Sequence, residues 1–385
     1  MPTQPAAADA PDFTEVWTAA ASPSQNAYVQ DVAYAQIDGR PVALAVAGTT
    51  LAAWDLASGE RLAAAPPSGP TSTSNVQPHP SPTPTNLIHI AATSSAGTPI
   101  ALTGDAGGHV QVWDLRSGER LGAPLTELGS RVQALAAMPQ PETAAGAVPG
   151  PGPGLALAPG ANLALIARAP GATSTVYSVP VADQGVEVWD IAARNRVRSL
   201  HHGGYTDSIA VGEHDGRALA VASATFSNSP LIDTSDAESR IFVWDLATGE
   251  RLGEPLHPAQ EDQLIGSVAV GSVAGHAVVV AESGGSLYAW ERNEPRPTVH
   301  IPTPGTVKFV TWTTVAGRPV VLASGGNPRP DGRSWLAAWD PQTWHPLAQA
   351  EPGYGVLARF APAPDGRVIL PWAKSVKVLH YEGTS

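Results

Sequence analysis

The chain of 385 residues contains no cysteine, so disulfides and thiolate metal sites are excluded and the redox compartment is left open. Lysine is almost missing: Lys308, Lys374 and Lys377 are the only three among 22 basic residues, set against 34 acidic ones. A formal net charge of −12 repels phosphate backbones and anionic headgroups, which argues against nucleic acid or a membrane surface as the primary partner. No apolar run approaches the ~18 residues of a membrane span. The first twelve residues, MPTQPAAADAPD, carry neither the basic nor the apolar stretch of a secretory signal. A soluble cytoplasmic protein is expected. H-E-x-x-H, G-x-x-x-x-G-K-[ST] and G-x-S-x-G are also missing, so zincin, P-loop and nucleophile-elbow chemistry have no support and no cofactor is expected.

What the chain does have is internal repetition. Residues 112–125 read VWDLRSGERLGAPL and residues 243–256 read VWDLATGERLGEPL, identical at eleven of fourteen positions. Weaker copies lie at 51–62, 186–197, 287–298 and 336–347, with a degenerate one at 376–383. Taking Trp54, Trp113, Trp189, Trp244, Trp290, Trp339 and Leu379 as anchors, the intervals are 59, 76, 55, 46, 49 and 40 residues. The shorter ones match propeller repeats of ~40–50 residues, and the longer ones contain insertions.

Two apolar residues precede each anchor by three and one positions, such as Leu51/Ala53, Val110/Val112 and Ile241/Val243. Alternation along a strand puts that pair on one face and the anchor on the other. Both faces are therefore apolar, as in a strand sandwiched between sheets. Ser58-Gly59, Ser117-Gly118 and Thr248-Gly249 follow at one offset and read as hairpin turns with glycine at positive φ. Leu62, Leu121, Val197, Leu252 and Leu347 then mark an outer strand. Two further strands precede each anchor, for example 28–48, 265–283 and 307–324.

The expected fold is all-β: a seven-bladed β-propeller of four-stranded antiparallel blades. The last repeat lacks an outer strand, and FTEVWTA at 13–19 is spare, so an N-terminal strand is expected to complete blade seven and remove the open edge. Residues 1–12 are expected as a disordered tail, and 13–385 as one domain.

The chain resembles the WD-repeat family from about residue 13 to 383, on Trp-Asp at 54–55, 113–114, 189–190, 244–245 and 339–340, with Trp290-Glu291 and Leu379-His380 as drifted versions. It departs from the family in its Gly-His element. GYTDSIAV at 204–211 has Tyr205 where the family has histidine, Ser130 takes that place in blade three, and the acidic residue before the tryptophan survives only as Asp183 and Glu238. The family's buried Trp–Ser/Thr–His–Asp network is thus incomplete, which shifts stability toward apolar packing.

Five insertions are Pro/Ser/Thr/Gly-rich or polar: 66–85, 171–184, 225–239, 325–334 and 139–161. In the family's topology the first four emerge on one face and the fifth on the other. Long loops on a rigid scaffold concentrate binding, so that face carries the candidate contact residues Phe226, Asp233, Asp236, Arg329, Arg333 and Trp335. Asp233, Asp236 and Glu238 offer three carboxylates for Ca²⁺, but the EF-hand spacing and its glycine are missing, so no metal is assigned.

Strands lining the channel carry Asp31, His89, Asp207, Ser208, Lys308 and Arg359 at or near equivalent positions. Opposed charges at a channel mouth suit a small-molecule or catalytic site, and equally suit mutual pairing. His201 and His202 read as a solvated connection between blades. The late tryptophans Trp312, Trp335, Trp344 and Trp372, near Tyr354, suit either an interface or blade packing, with packing favoured. The expected function is a non-catalytic scaffold, monomeric on its own, that presents its loop-rich face to a protein or peptide. A channel-mouth hydrolase or lyase and a small-ligand or glycan binder are the alternatives.

Overall fold

The computed structural model describes residues 13–21, 27–62, 86–95, 97–127, 131–138, 162–168, 185–226, 237–291, 294–326, 332–354 and 359–381. The expected tail at 1–12 lies outside them, as do most of the five insertions. Seven small antiparallel sheets form a ring, which makes the molecule a seven-bladed β-propeller. Their inner strands are Val29–Ile37, Leu87–Ser95, Val132–Ala137, Tyr205–His214, Ile265–Val273, Thr306–Val315 and Ala361–Pro362. Each lies against its neighbour around the axis, and blades six and seven meet through Phe309 and Phe360.

Apolar alternation explains the ring. The buried side chains divide into seven clusters, one for each seam between adjacent blades. Trp54 and Ala52 pack back on blade seven, whereas Leu51 packs forward on blade two. Trp244 likewise faces blade three while Ile241 faces blade five. Each fully buried aliphatic side chain at a seam contributes ~1.5–3 kcal/mol. One sheet therefore cannot satisfy both of its faces until it has two neighbours.

The aspartate of each Trp-Asp pair caps the following hairpin. Asp245 Oδ1 accepts the N–H groups of Ala247 and Thr248 at 2.8 and 3.1 Å, and Asp55 Oδ1 does the same for Ala57 and Ser58. This is why the pair recurs: the ring fills a seam, and the carboxylate holds the turn. Blade two keeps one further element, with Trp113 Nε1–H donating to Thr103 Oγ1 at 2.8 Å.

Among the described residues five blades have four strands and blades one and four have three, their outer edge marked by isolated bridges, Trp54 to Arg61 in blade one, Trp244 to Arg251 and Ile241 to Leu256 in blade four.

The ends of the chain meet as expected. Phe13–Ala20 pairs antiparallel with Ser375–Tyr381, from Phe13 opposite Tyr381 to Ala20 opposite Ser375, and completes blade seven. The Phe13 and Tyr381 rings lie 5.5 Å apart, and Trp17 Nε1–H reaches Leu56 O in blade one at 3.0 Å. Among the described residues no helix is long and apolar enough to cross a membrane.

Candidate functional site at the channel mouth

Six of the seven inner strands begin with a register shift, between Val29 and Asp31, Leu87 and His89, Val132 and Ala134, Thr206 and Ser208, Ile265 and Val268, and Val307 and Phe309. Such bulges re-aim the residues beside them. They set one level around the axis, occupied by Asp31, His89, Ala134, Ser208, Ser267 and Phe309, with Arg359 at the corresponding place in blade seven.

Polar side chains at this level clasp the next blade. Ile90 N–H donates to Asp31 Oδ2 at 3.2 Å, Val268 N–H to Ser208 Oγ at 3.4 Å, and Val310 N–H to Ser267 Oγ at 3.1 Å. The Ser267 hydroxyl also donates to Val310 O at 3.3 Å. These bonds satisfy backbone groups that an inner strand edge leaves unpaired.

Two charged groups result. In the first, Asp31, with a side chain only 6% exposed, also accepts Val32 N–H at 2.9 Å. Its Oδ2 lies 3.5 Å from His89 Nδ1 and 3.7 Å from Arg359 Nη1. Here the structure brings together three residues expected from sequence. The Arg359 guanidinium sits 5.7 Å over the Phe309 ring, and Phe309 meets Phe360 edge-on at 5.1 Å.

The second group joins blades four, five and six. Asp207 occupies the bulge itself and accepts the Thr225 hydroxyl at 2.6 Å. Burial pushes its carboxyl up to about 6, despite the Thr225 bond, and the nearby Glu282 charge adds to the rise. Burial also raises Glu282, against the N–H groups of Gly285 (2.6 Å) and Gly266 and the charge of Lys308. Lys308, at the blade-six bulge, is exposed. Asp207 and Lys308 therefore stand one residue earlier than Asp31, His89, Ser208 and Arg359. Sequence reasoning missed Glu282, which lies on the second strand of its blade, His276–Ser283, outside any motif.

The other expected contact residues separate. Phe226 lies under the Arg240 guanidinium at 5.7 Å, and Arg240 Nη2 pairs with Glu238 at 2.7 Å. Arg333 pairs with Glu351 at 3.0 Å. Trp335 is 0% exposed and edge-on to Trp339, so it is core rather than a contact surface. Trp312 and Trp344 pack at the same seam between blades five and six. Asp233, Asp236 and Arg329 lie outside the described residues, so the calcium reading has only Glu238 within them.

The expectation that His202 is solvated is corrected. It is partly buried, stacked on Phe242 at 5.5 Å, with Nδ1 accepting Gly204 N–H at 3.2 Å and Nε2 2.8 Å from Thr206 Oγ1. Burial, with the neighbouring His201 charge, lowers it to about 4.

An axial cavity of about 220 Å³ is lined by residues at or beside the inner strands of all seven blades. The fold and this mouth define a seven-bladed propeller with a polar collar at one end of its channel. Comparison with known proteins finds no family model and no curated protein that matches the chain.

Proposed function

We propose that the protein is a non-catalytic platform of the WD-repeat type, binding a protein or peptide partner on the rim where its inner strands begin. The observation that carries this reading is how the collar's polar groups are engaged. Asp31 and Ser208, groups a channel-mouth enzyme would use, hold the next blade's backbone. A hydroxyl that accepts from a peptide N–H of the next blade serves the seam between blades. Charged side chains stand on the same rim for recognition, exposed Lys308 and Glu238 and half-buried Arg240 paired with Glu238. The net charge of −12 favours a protein or peptide over nucleic acid or anionic lipid, and a cytoplasmic monomer is the setting we propose.

The test compares capture by three forms of the full chain: unaltered, Lys308→Glu with Arg240→Glu, and Arg217→Glu on the opposite rim. The reading expects one protein held by the unaltered chain and by Arg217→Glu but lost from the double variant. Equal retention by all three would contradict it.

A further inference from the structure

We infer that the axial cavity is a binding site for a small organic carboxylate, its head on Arg359. Among the described residues two charged side chains line the cavity, Asp31 and Arg359, and they differ in what they have left to offer. Each oxygen of the Asp31 carboxylate already takes a hydrogen bond, Oδ1 from Val32 N–H and Oδ2 from Ile90 N–H. The His89 ring and Arg359 stand beyond hydrogen-bond reach, at 3.5 and 3.7 Å from Oδ2.

Arg359 is the reverse case. A guanidinium carries five N–H donors in a planar fork that matches a carboxylate. Its one ion-pair contact among the described residues, Asp31 Oδ2 at 3.7 Å, is too long for a hydrogen bond. The side chain is 29% exposed, so the fork stays reachable from the channel. The face of Phe309 beneath it, braced edge-on by Phe360, fixes the plane in advance. Binding then costs little ordering of the arginine. The buried His89 Nδ1, which makes no hydrogen bond, adds an unused polar atom beside the same carboxylate.

Below this head the cavity passes Leu135, Ile209, Val270 and Val310, whose side chains pack into the seams between blades. At about 220 Å³ the space falls short of the ~300–1,000 Å³ of sites for drug-sized molecules. The size selects a single ring or a chain of a few carbons, and the charge selects an acid. Asp207 and Glu282 are absent from the lining, and their oxygens already accept from Thr225, Gly285 and Gly266. They therefore offer no competing ammonium site within the cavity.

Saturation-transfer NMR on the full chain tests the site with sodium benzoate and sodium butyrate as probes, and with butyramide and butylamine as neutral and cationic counterparts. Transfer to both acids is expected, with none to the amide or amine. Arg359→Gln should weaken benzoate binding by about tenfold or more, and Arg359→Lys, which keeps the charge but loses the fork, should retain part of it. Circular dichroism establishes that each variant is folded. If the glutamine variant does not fold, the lysine variant decides alone. Absence of transfer to either acid, equal binding of butylamine, or unchanged benzoate affinity in the deciding variant would overturn the inference. Protein capture on the rim is a separate readout, so either proposal can fail without the other.

Discussion

At the residue scale, blade four holds two groups whose titrations oppose one another. The Asp207 carboxyl is raised from 3.8 to about 6, so between those values the folded chain keeps a proton that the unfolded chain has lost. Stability contributed there falls as pH rises through that window. His202 is lowered from 6.5 to about 4, so the unfolded chain takes up a proton that the fold refuses, and stability falls as pH drops from about 6.5 to about 4. Where the windows overlap, from about 4 to 6, the two slopes cancel in part. Asp207→Asn should raise stability above pH 6 by on the order of 1–3 kcal/mol and expose the histidine slope, so that the variant loses stability on acidification more steeply than the parent. Urea midpoints measured from pH 4 to 8 check this. Parallel profiles for the two proteins would show that the carboxyl titrates as an ordinary surface aspartate.

At the element scale, the inner strand and its opening bulge decide what faces the channel. The serine clasps differ in strength. Ser267 both accepts Val310 N–H and donates to Val310 O, whereas Ser208 has one contact of 3.4 Å to Val268 N–H. Ser267→Ala is expected to cost ~1–2 kcal/mol, because a buried N–H is left without a partner, and Ser208→Ala less than half of that. Denaturant unfolding of the two variants measures the difference, and equal costs would mean that the clasps do not hold the seams.

The bulges also mark where the sequence stops being legible. Tryptophan anchors and Ser-Gly turns stand at fixed offsets, so seven blades and their seams could be read directly. A bulge inserts one residue without a compositional signal. Asp207 and Lys308 were for that reason grouped with Asp31, His89 and Ser208, although they stand one position earlier. Glu282 joins the site by distance in space from a second strand that reads as ordinary core. The outer edges of blades one and four were expected as full strands, and among the described residues only isolated bridges mark them. His202 was read as solvated because two adjacent histidines before Gly-Gly look like a connection. Its burial comes from Phe242 on another strand, which local sequence does not announce.

At the scale of the whole molecule, every seam needs two blades, so one open seam would expose an apolar face and two unpaired strand edges. The join falls between the chain's own ends. Phe13–Ala20 is the outer strand of a blade whose other three strands come from the carboxy-terminal end. The collar and the cavity exist only in the closed ring, since Arg359 of blade seven must reach Asp31 of blade one. Platform and ligand site alike therefore rest on that closure.

The chain has no cysteine, so a single engineered pair reports on closure without interference. Thr18 and Lys377 stand directly opposite one another across the joining strands. Opposed residues on antiparallel strands have Cα separations of ~4.5–5.5 Å, within the range that a disulfide spans. Under mild oxidation of the folded protein, Thr18→Cys with Lys377→Cys should form one intramolecular disulfide nearly completely and raise the melting temperature relative to its reduced form. A pair that stays reduced while the protein is folded, or that links separate molecules instead, would show that the two ends do not share a sheet.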